Sequence, residues 1–289
     1  MLQRITEMNT YREFNLYHEY SKIEELFSSN EIVFFSAKGD MGYNVSISIE
    51  DFMKQRFLDW HLRGTFTKLD EMRKAWLINK ELLSENYQGI TEEQVLIFIQ
   101  FAWNCLDYFT KALDASSEFS DIQLELVDFG IDTVRALASN MDSLLFHLGA
   151  GRYFDEDKTE HVVYYRDGVD DAIAEQHQDI RESLIQYRRI DTVHDLQRKE
   201  EILCTLFKKF ENFRGGLKAA GFDTLQSDTG FIMNFARHMP HGKDAPATKF
   251  HLLSNEDKEK WYDNAYKMFI ACLAVLPYID VKLNIAKLK

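Results

Sequence analysis

Several arginine and histidine residues of this chain have the types and the spacing of a catalytic pair. Arg56 precedes His61, and Arg188 and Arg189 both precede His194, with four or five residues between the two side chains of each pair. An arginine can stabilise charge that develops on a phosphate, while a histidine transfers a proton to or from the attacking hydroxyl. These pairs therefore indicate cleavage of a phosphate ester as one chemistry to test.

The spacing of these pairs is similar to the Arg-x(4–6)-His signature of HEPN-type helical ribonucleases. This resemblance implies a ribonuclease site on helices, with Arg189 and His194 as catalytic residues. The chain has nine histidines in 289 residues, however, and about one such pair is expected by chance alone. A HEPN-like ribonuclease, or a metal-dependent hydrolase, is accordingly the alternative function.

A histidine-rich loop offers the other catalytic candidates. Arg237 and His241 flank a stretch that contains Pro240, and functional side chains are frequent on such loops. If the chain is an enzyme, we expect Arg237 and His241 to handle an anion. The proline breaks the helix that would align neighbouring histidines on one ion, so no metal site is predicted here.

Acidic residues are concentrated in one stretch. Residues 152–182 include ten acidic and four basic side chains, which is −6 of the net charge of −13. If residues 169–188 form one helix, four of these carboxylates lie on one face. An earlier acidic run begins like a calcium loop, but Glu160 replaces the required glycine, so no metal is predicted. The predicted binding residues are Asp155, Glu156, Asp157, Asp171, Glu175, Asp179 and Glu182.

The net charge of −13 favours one class of partner over another. Binding to phosphate backbones depends on clustered lysine and arginine, so we expect no direct binding of nucleic acid. A negative surface suits a basic protein partner, such as an enzyme that acts on nucleic acid and is inhibited when its basic surface is covered. Aromatic residues make up 13% of the chain, which also favours a homo-oligomer or partner surface beside an aromatic core.

Cysteine usage and the N-terminus indicate the compartment. The three cysteines, Cys105, Cys204 and Cys272, are widely spaced and lack the pattern of a disulfide framework or zinc site, which favours buried free thiols in a reducing cytosol. The N-terminal residues lack the apolar run of a secretory signal, and the longest apolar stretch is too short to span a membrane. No glycine-rich phosphate-binding motif occurs, and we predict no cofactor. We expect a cytoplasmic protein with no membrane partner.

The elements that must position these residues are mostly helices. Only 13 glycines and 3 prolines occur in the chain, so few turns are available and long segments are expected. Capping boxes and apolar residues at three- and four-residue spacing predict the helix boundaries. Helices are predicted over 10–28, 50–63, 67–86, 92–115, 120–148, 169–188, 192–213, 228–238 and 254–277.

One β-hairpin interrupts this pattern at residues 31–49. A β-branched and aromatic run comes first, a glycine-containing turn follows, and polar and apolar residues then alternate strictly from Tyr43 to Ile49. A two-stranded hairpin is marginal in water, so we expect it to pack on helices or to pair with another strand.

The predicted fold is mainly α, with a multi-helix bundle-like core and a small N-terminal α+β part that contains the hairpin. We expect a small α+β region over residues 1–90 and a helical domain over 91–289, with a further boundary at 149–168 where an acidic run, a short strand-like segment and an Asp-Gly turn follow one another. The favoured function is a non-enzymatic, acidic interaction protein that docks on a basic protein partner.

Overall fold

Helices form most of the chain, and a small β part accompanies them, as the sequence predicts. The computed structural model describes residues 14–29, 33–38, 41–76, 90–119, 122–126, 128–237, 250 and 252–288. None of the helices in these ranges is long and apolar enough to cross a membrane.

The chain divides into two compact units, Met1–Val163 and Tyr164–Lys289. This division falls inside the segment 149–168, and residues 91–163 belong with the N-terminal unit rather than with the later helices. The small α+β region expected over 1–90 is therefore part of a larger unit, because the long helix that begins at residue 92 packs on the elements before it.

The N-terminal unit contains five helices and two small sheets among its described residues. In chain order the elements that begin in it are α1 (Leu16–Ser28), β1 (Val33–Lys38), β2 (Met41–Ser46), α2 (Ile49–Arg56), two 3-10 turns (Phe57–Asp59 and His61–Arg63), α3 (Leu69–Ala75), α4 (Glu92–Phe119), β3 (Ile122–Leu126), α5 (Asp128–His147), β4 (Ala150–Asp155) and β5 (Glu160–Tyr165).

The C-terminal unit is helical from Gly168 onward in its described residues. Its elements are α6 (Gly168–Gln176), α7 (Arg181–Tyr187), a 3-10 turn (Ile190–Thr192), α8 (Leu196–Ala219), α9 (Asp223–Arg237) and α10 (Asn255–Leu288).

The predicted hairpin is confirmed and gains a third strand. β1 and β2 pair antiparallel, with Val33 opposite Ser46 and Lys38 opposite Met41. β3 pairs antiparallel with the other edge of β1, so the strand order is β2-β1-β3. The third strand supplies the additional pairing that an isolated hairpin requires.

Several predicted helices differ from the structure in their bounds. The helix expected over 120–148 is wrong in its first part, because residues 122–126 pair with β1 as a strand and α5 begins only at Asp128. The helix expected over 169–188 is two helices, α6 and α7, separated by a turn. α8 continues past its expected end at residue 213, because Leu217 is buried in the core of the C-terminal unit.

The last helix does not end at Pro277, where the sequence predicts its end. Pro277 lies inside α10, which continues to Leu288. Contacts beyond the proline hold these turns: the Lys282 ammonium donates to the carbonyl of Ala220, and the ring of Tyr278 lies 6.1 Å from that of Phe222. Tertiary contacts of this kind outweigh the loss of one backbone hydrogen bond.

Side chains that cap the free backbone N–H groups mark where α4 and α10 begin. Thr91 and Gln94 form the predicted capping box of α4, in which each side chain accepts from the other residue's backbone N–H, at 3.2 and 3.0 Å. The Ser254 hydroxyl likewise accepts from the Asp257 N–H at 3.1 Å and starts α10. The box predicted at Thr10 lies outside the described residues.

The core of the N-terminal unit surrounds α4. Most residues from Val95 to Phe109 are buried, and Phe98 and Phe101 make tilted or edge-on contacts with Phe27. The largely apolar helix α4 therefore forms the centre of the N-terminal unit. Arg73 lies in the same core, 2.8 Å from Glu24 and 3.2 Å from Glu50, and this buried ion pair ties α3 to α1 and α2.

Candidate functional site

Arg189 and His194, which the sequence predicts as a catalytic pair, interact with different carboxylates. Arg189 is 1% exposed, and its Nε and Nη2 donate to the two carboxylate oxygens of Asp191 at 2.9 and 2.7 Å. The His194 side chain is exposed, and its Nδ1 lies 3.3 Å from Glu259. The Asp191 carboxylate therefore occupies, with two hydrogen bonds, the edge of the Arg189 guanidinium that would bind a phosphate.

The remaining catalytic candidates lie at or beyond the edge of the described residues. Arg237 is the last residue of α9, and its side chain is not described. His241 lies outside the described residues altogether.

The carboxylates expected on one helical face are distributed over α6, α7 and the turn between them. Asp171 on α6 accepts from Arg188 at 2.8 Å, and Glu175 on the same helix is exposed. Asp179 lies in the turn, where a hydrogen bond from Lys209 lowers the pKa of its carboxyl group. Glu182 on α7 is exposed and accepts from Gln186 at 2.6 Å. The stripe on one continuous helix is therefore wrong.

Two tyrosines stack face to face inside the C-terminal unit. The rings of Tyr187 on α7 and Tyr266 on α10 are 4.1 Å apart and nearly parallel. The Tyr187 hydroxyl donates to Asp263 at 2.9 Å, and the Tyr266 hydroxyl donates to Asp170 at 2.7 Å. The Lys199 ammonium also donates to Asp263, at 2.9 Å.

This network holds helices together rather than presenting a reactive group. Burial raises the pKa of both tyrosine hydroxyls, which keeps them protonated as donors. Burial also raises the pKa of Asp170, against the opposing effects of the Tyr266 hydrogen bond and the Arg188 charge. Each carboxylate in the network receives a donor from another helix, which is the way a buried charge is compensated.

A layered stack of aromatic rings and cations lies in the N-terminal unit. Arg152 lies 3.5 Å above the ring centre of Trp103, and Lys111 lies 4.8 Å from the ring centre of Phe154. The ring of His161 fills the space between, 5.4 Å from Trp103 and 5.0 Å from Phe154. β4 and β5 thus contact α4 through three rings in sequence with a cation at each end.

His161 is neutral at physiological pH because of this stack. Burial, together with the charges of Arg152 and Lys111, lowers the pKa of His161 from 6.5 to about 4, although the charge of Asp107 opposes this shift. Its Nδ1 and the Nε1 of Trp103 are buried and have no hydrogen-bond partner among the described residues. A histidine in this state is a poor proton shuttle near pH 7.

The turn between β4 and β5 projects acidic side chains. Glu156 and Asp157 are exposed there, whereas Asp155 is buried and accepts from the backbone N–H of Lys158 at 3.2 Å. Thr159 closes the turn with a φ of 52°, a conformation that is strained for a β-branched residue. The predicted binding residues of this run therefore divide into one that shapes the turn and two that solvent can reach.

The two units differ in net charge. Residues 1–163 contain 28 acidic and 15 basic side chains, a net charge of −13, whereas residues 164–289 contain 19 of each and are neutral. The whole negative excess of the chain therefore belongs to the N-terminal unit. Sequence reasoning, which located half of the excess in residues 152–182, missed this division because it depends on where the units separate.

The described residues contain no group of three or more histidine, cysteine, aspartate or glutamate side chains arranged to hold a metal ion. Comparison with protein-family models, with curated proteins and with solved structures finds no match to this chain.

Proposed function

We propose that this chain is a non-enzymatic interaction protein whose acidic N-terminal unit docks on a basic protein partner. The observation that carries the proposal is the confinement of the entire net charge of −13 to residues 1–163. Such a charge attracts a positive surface over a distance of about 10 Å at moderate ionic strength and speeds association with it. An enzyme that acts on nucleic acid has a positive surface of this kind, and docking there would inhibit it.

The exposed carboxylates of the acidic unit and the ion-paired carboxylates of the neutral unit contribute differently to this proposal. Glu156 and Asp157 stand on a turn of the acidic unit, so we assign them to docking. Asp171 and Asp179 already pair with Arg188 and Lys209 in the neutral unit. Pairs that are satisfied within the chain have less to gain from a partner's cations.

The proposal also includes a cytoplasmic location and leaves room for a homo-oligomer. Cys105, Cys204 and Cys272 are not joined in disulfides, which suits a reducing compartment. The alternative function, a HEPN-like ribonuclease or metal-dependent hydrolase, gains no support from Arg189, whose guanidinium is taken up by Asp191.

Capture experiments with charge-reversed variants test the proposal. The wild-type chain is immobilised, and proteins from extract are retained at low ionic strength and eluted with salt. We expect Glu156→Lys/Asp157→Lys to weaken retention of basic proteins about tenfold, because two attractive charges become repulsive. Glu175→Lys/Glu182→Lys makes the same change of charge on the neutral unit and should retain the same proteins.

Equal loss from both double variants would show that net charge alone, and not the acidic unit, determines retention. Retention of no basic protein at low ionic strength would contradict the proposed function.

A further inference from the structure

The exposed face of α10 changes in composition along the helix. In the first half of α10 the exposed side chains are polar or charged, and they include Glu256, Asp257, Lys260, Asn264 and Lys267. In the second half most of them are apolar. We call five of these exposed residues the α10 stripe: Ala271, Ala274, Tyr278, Val281 and Ile285.

The opposite face of the same turns is already buried. Phe269, Cys272, Leu273 and Ile279 belong to the core of the C-terminal unit. From Phe269 onward α10 is therefore apolar on two opposite sides. A helix that is apolar all round is normally buried on all sides. The α10 stripe is thus an apolar face that the described part of the chain leaves open to solvent.

Contacts within the C-terminal unit fix the side chains around the α10 stripe. The ring of Tyr278 lies edge-on to the ring of Phe222, and this contact leaves Tyr278 55% exposed. Lys282, the only charged side chain described over residues 271–285, donates to the carbonyl of Ala220 and lies 5.5 Å from the ring centre of Phe222. The stripe therefore has an aromatic residue held in place, and the cation beside it is already bound.

The α10 stripe is complementary to itself. Its five residues are separated alternately by three and four positions, which is the heptad spacing of helices that pack side by side. In an antiparallel pair, one register places Ala274 opposite Ile285 of a second copy and Tyr278 opposite Val281. The small residue then faces a large one, as close packing requires, whereas a parallel pair would place alanine against alanine.

We infer that the α10 stripe binds the α10 stripe of a second copy of this chain, in an antiparallel pair of helices about a two-fold axis. Each contact in such a pair is made twice, because the same surface serves both copies. The unit that carries the stripe has no net charge, so its two copies meet without the repulsion that two acidic units would cause. This inference gives a surface to the homo-oligomer of the proposed function, and the docking of a basic partner does not depend on it.

The size of the α10 stripe sets the strength of the expected dimer. Tyr278, Val281 and Ile285 are each about half exposed, so each has apolar area left to bury. A contact over about 15 helical residues is roughly 22 Å long. It buries less than the ~1,600 Å² of a standard protein interface, so we expect a dissociation constant on the order of 10 μM.

Sedimentation velocity of the full chain, from about 1 to about 100 μM, measures this equilibrium. We expect a shift from monomer to dimer in the wild type. Val281→Ser/Ile285→Ser removes apolar area without changing charge and should raise the dissociation constant at least about tenfold. Val169→Ser/Leu252→Ser makes matched changes at positions of the same unit that are 57% and 82% exposed, and should leave the equilibrium as it is. Circular dichroism verifies that each variant is folded.

A pair of variants tests the antiparallel register. Ala274→Leu places two large side chains opposite each other, so we expect it to weaken the dimer about tenfold. Adding Ile285→Ala to that variant exchanges the small and large positions and should restore most of the affinity. Hydrogen exchange at low and high protein concentration should show protection of residues 271–285 that increases with concentration.

Each contrary outcome identifies what fails. A monomer at every concentration, including one in which residues 271–285 are protected, would overturn the inference. A dimer that Val281→Ser/Ile285→Ser leaves intact would place the contact elsewhere, and a dimer that Ala274→Leu strengthens would exclude the antiparallel pair. Retention of basic proteins by the wild-type chain in any of these cases leaves the proposed docking standing, and its loss would overturn that docking alone.

Discussion

His161 lies between two aromatic rings and two cations, and its protonation opposes folding. The pKa is lowered from 6.5 to about 4 in the folded chain, mainly by burial. Between pH 6.5 and about pH 4, His161 is protonated in the unfolded chain but not in the folded chain. The free energy of unfolding therefore falls as the pH is lowered through this window, by about 3 kcal/mol at most. Above pH 6.5 the contribution is complete, and below pH 4 it is lost.

Replacing the imidazole tests this linkage. We expect His161→Phe to keep the ring contacts but to flatten the dependence of unfolding free energy on pH between 6.5 and 4. Urea denaturation at several pH values measures the slope. His18→Phe, at an exposed position on α1, should leave the slope as it is in the wild type. A variant as sensitive to pH as the wild type would rule out His161 as the source.

At the scale of elements, Asn104 clamps the β4–β5 hairpin onto α4. Its Nδ2 donates to the carbonyl of His161 at 2.9 Å, and its Oδ1 accepts from the N–H of the same residue at 2.6 Å. Gln100 accepts from the N–H of Val163 at 2.8 Å one turn earlier on α4. Two side-chain amides therefore replace a neighbouring strand as partners of the β5 backbone.

Removing one amide should loosen the hairpin. We expect Asn104→Ala to leave the buried N–H and carbonyl of His161 unsatisfied and to cost about 2 kcal/mol. Hydrogen exchange of residues 150–163 should accelerate accordingly. Asn212→Ala, at an exposed position on α8, is the matched control and should change nothing in this segment. Unchanged exchange in the Asn104 variant would show that packing of the aromatic stack alone holds the hairpin.

At the scale of the whole molecule, the units should respond differently to salt. The N-terminal unit has a net charge of −13 and repels itself, whereas the C-terminal unit is neutral. Salt screens repulsion between exposed charges, so we expect added sodium chloride to stabilise the N-terminal unit by up to about 1 kcal/mol. The C-terminal unit should gain less.

Hydrogen exchange at low and high salt measures both units in one sample. Slower exchange in α4 with little change in α8 is the expected result, because these helices lie in the cores of the two units. Equal slowing in both would mean that the charge difference has no energetic consequence for folding.

Local signals in the sequence predicted much of the fold and part of the candidate site. The capping residues of α4 and α10 could be identified because their hydrogen bonds join residues three apart. The apolar periodicity of α4 and the alternation that begins in β2 predicted a helix and a hairpin, because periodicity is also a local property of the sequence. The exposed pair Glu156 and Asp157 was found from composition, but composition did not separate it from Asp155, which the turn buries.

Contacts between residues far apart in the sequence determine the features that local signals did not predict. The segment 122–126 became a strand because β1 offers its backbone groups hydrogen bonds that outweigh local helix preference. The fold also buries Arg189 against Asp191, a contact that the Arg-x(4)-His spacing did not predict.

The sequence by itself determined that this protein is acidic and mainly helical, because composition and short-range periodicity do not depend on tertiary contacts. Only the tertiary structure decided that the negative charge belongs to one unit and that three separate elements meet around the β4–β5 turn. Charge is a sum over whichever residues fold together, and that grouping comes from long-range packing rather than from neighbours along the chain.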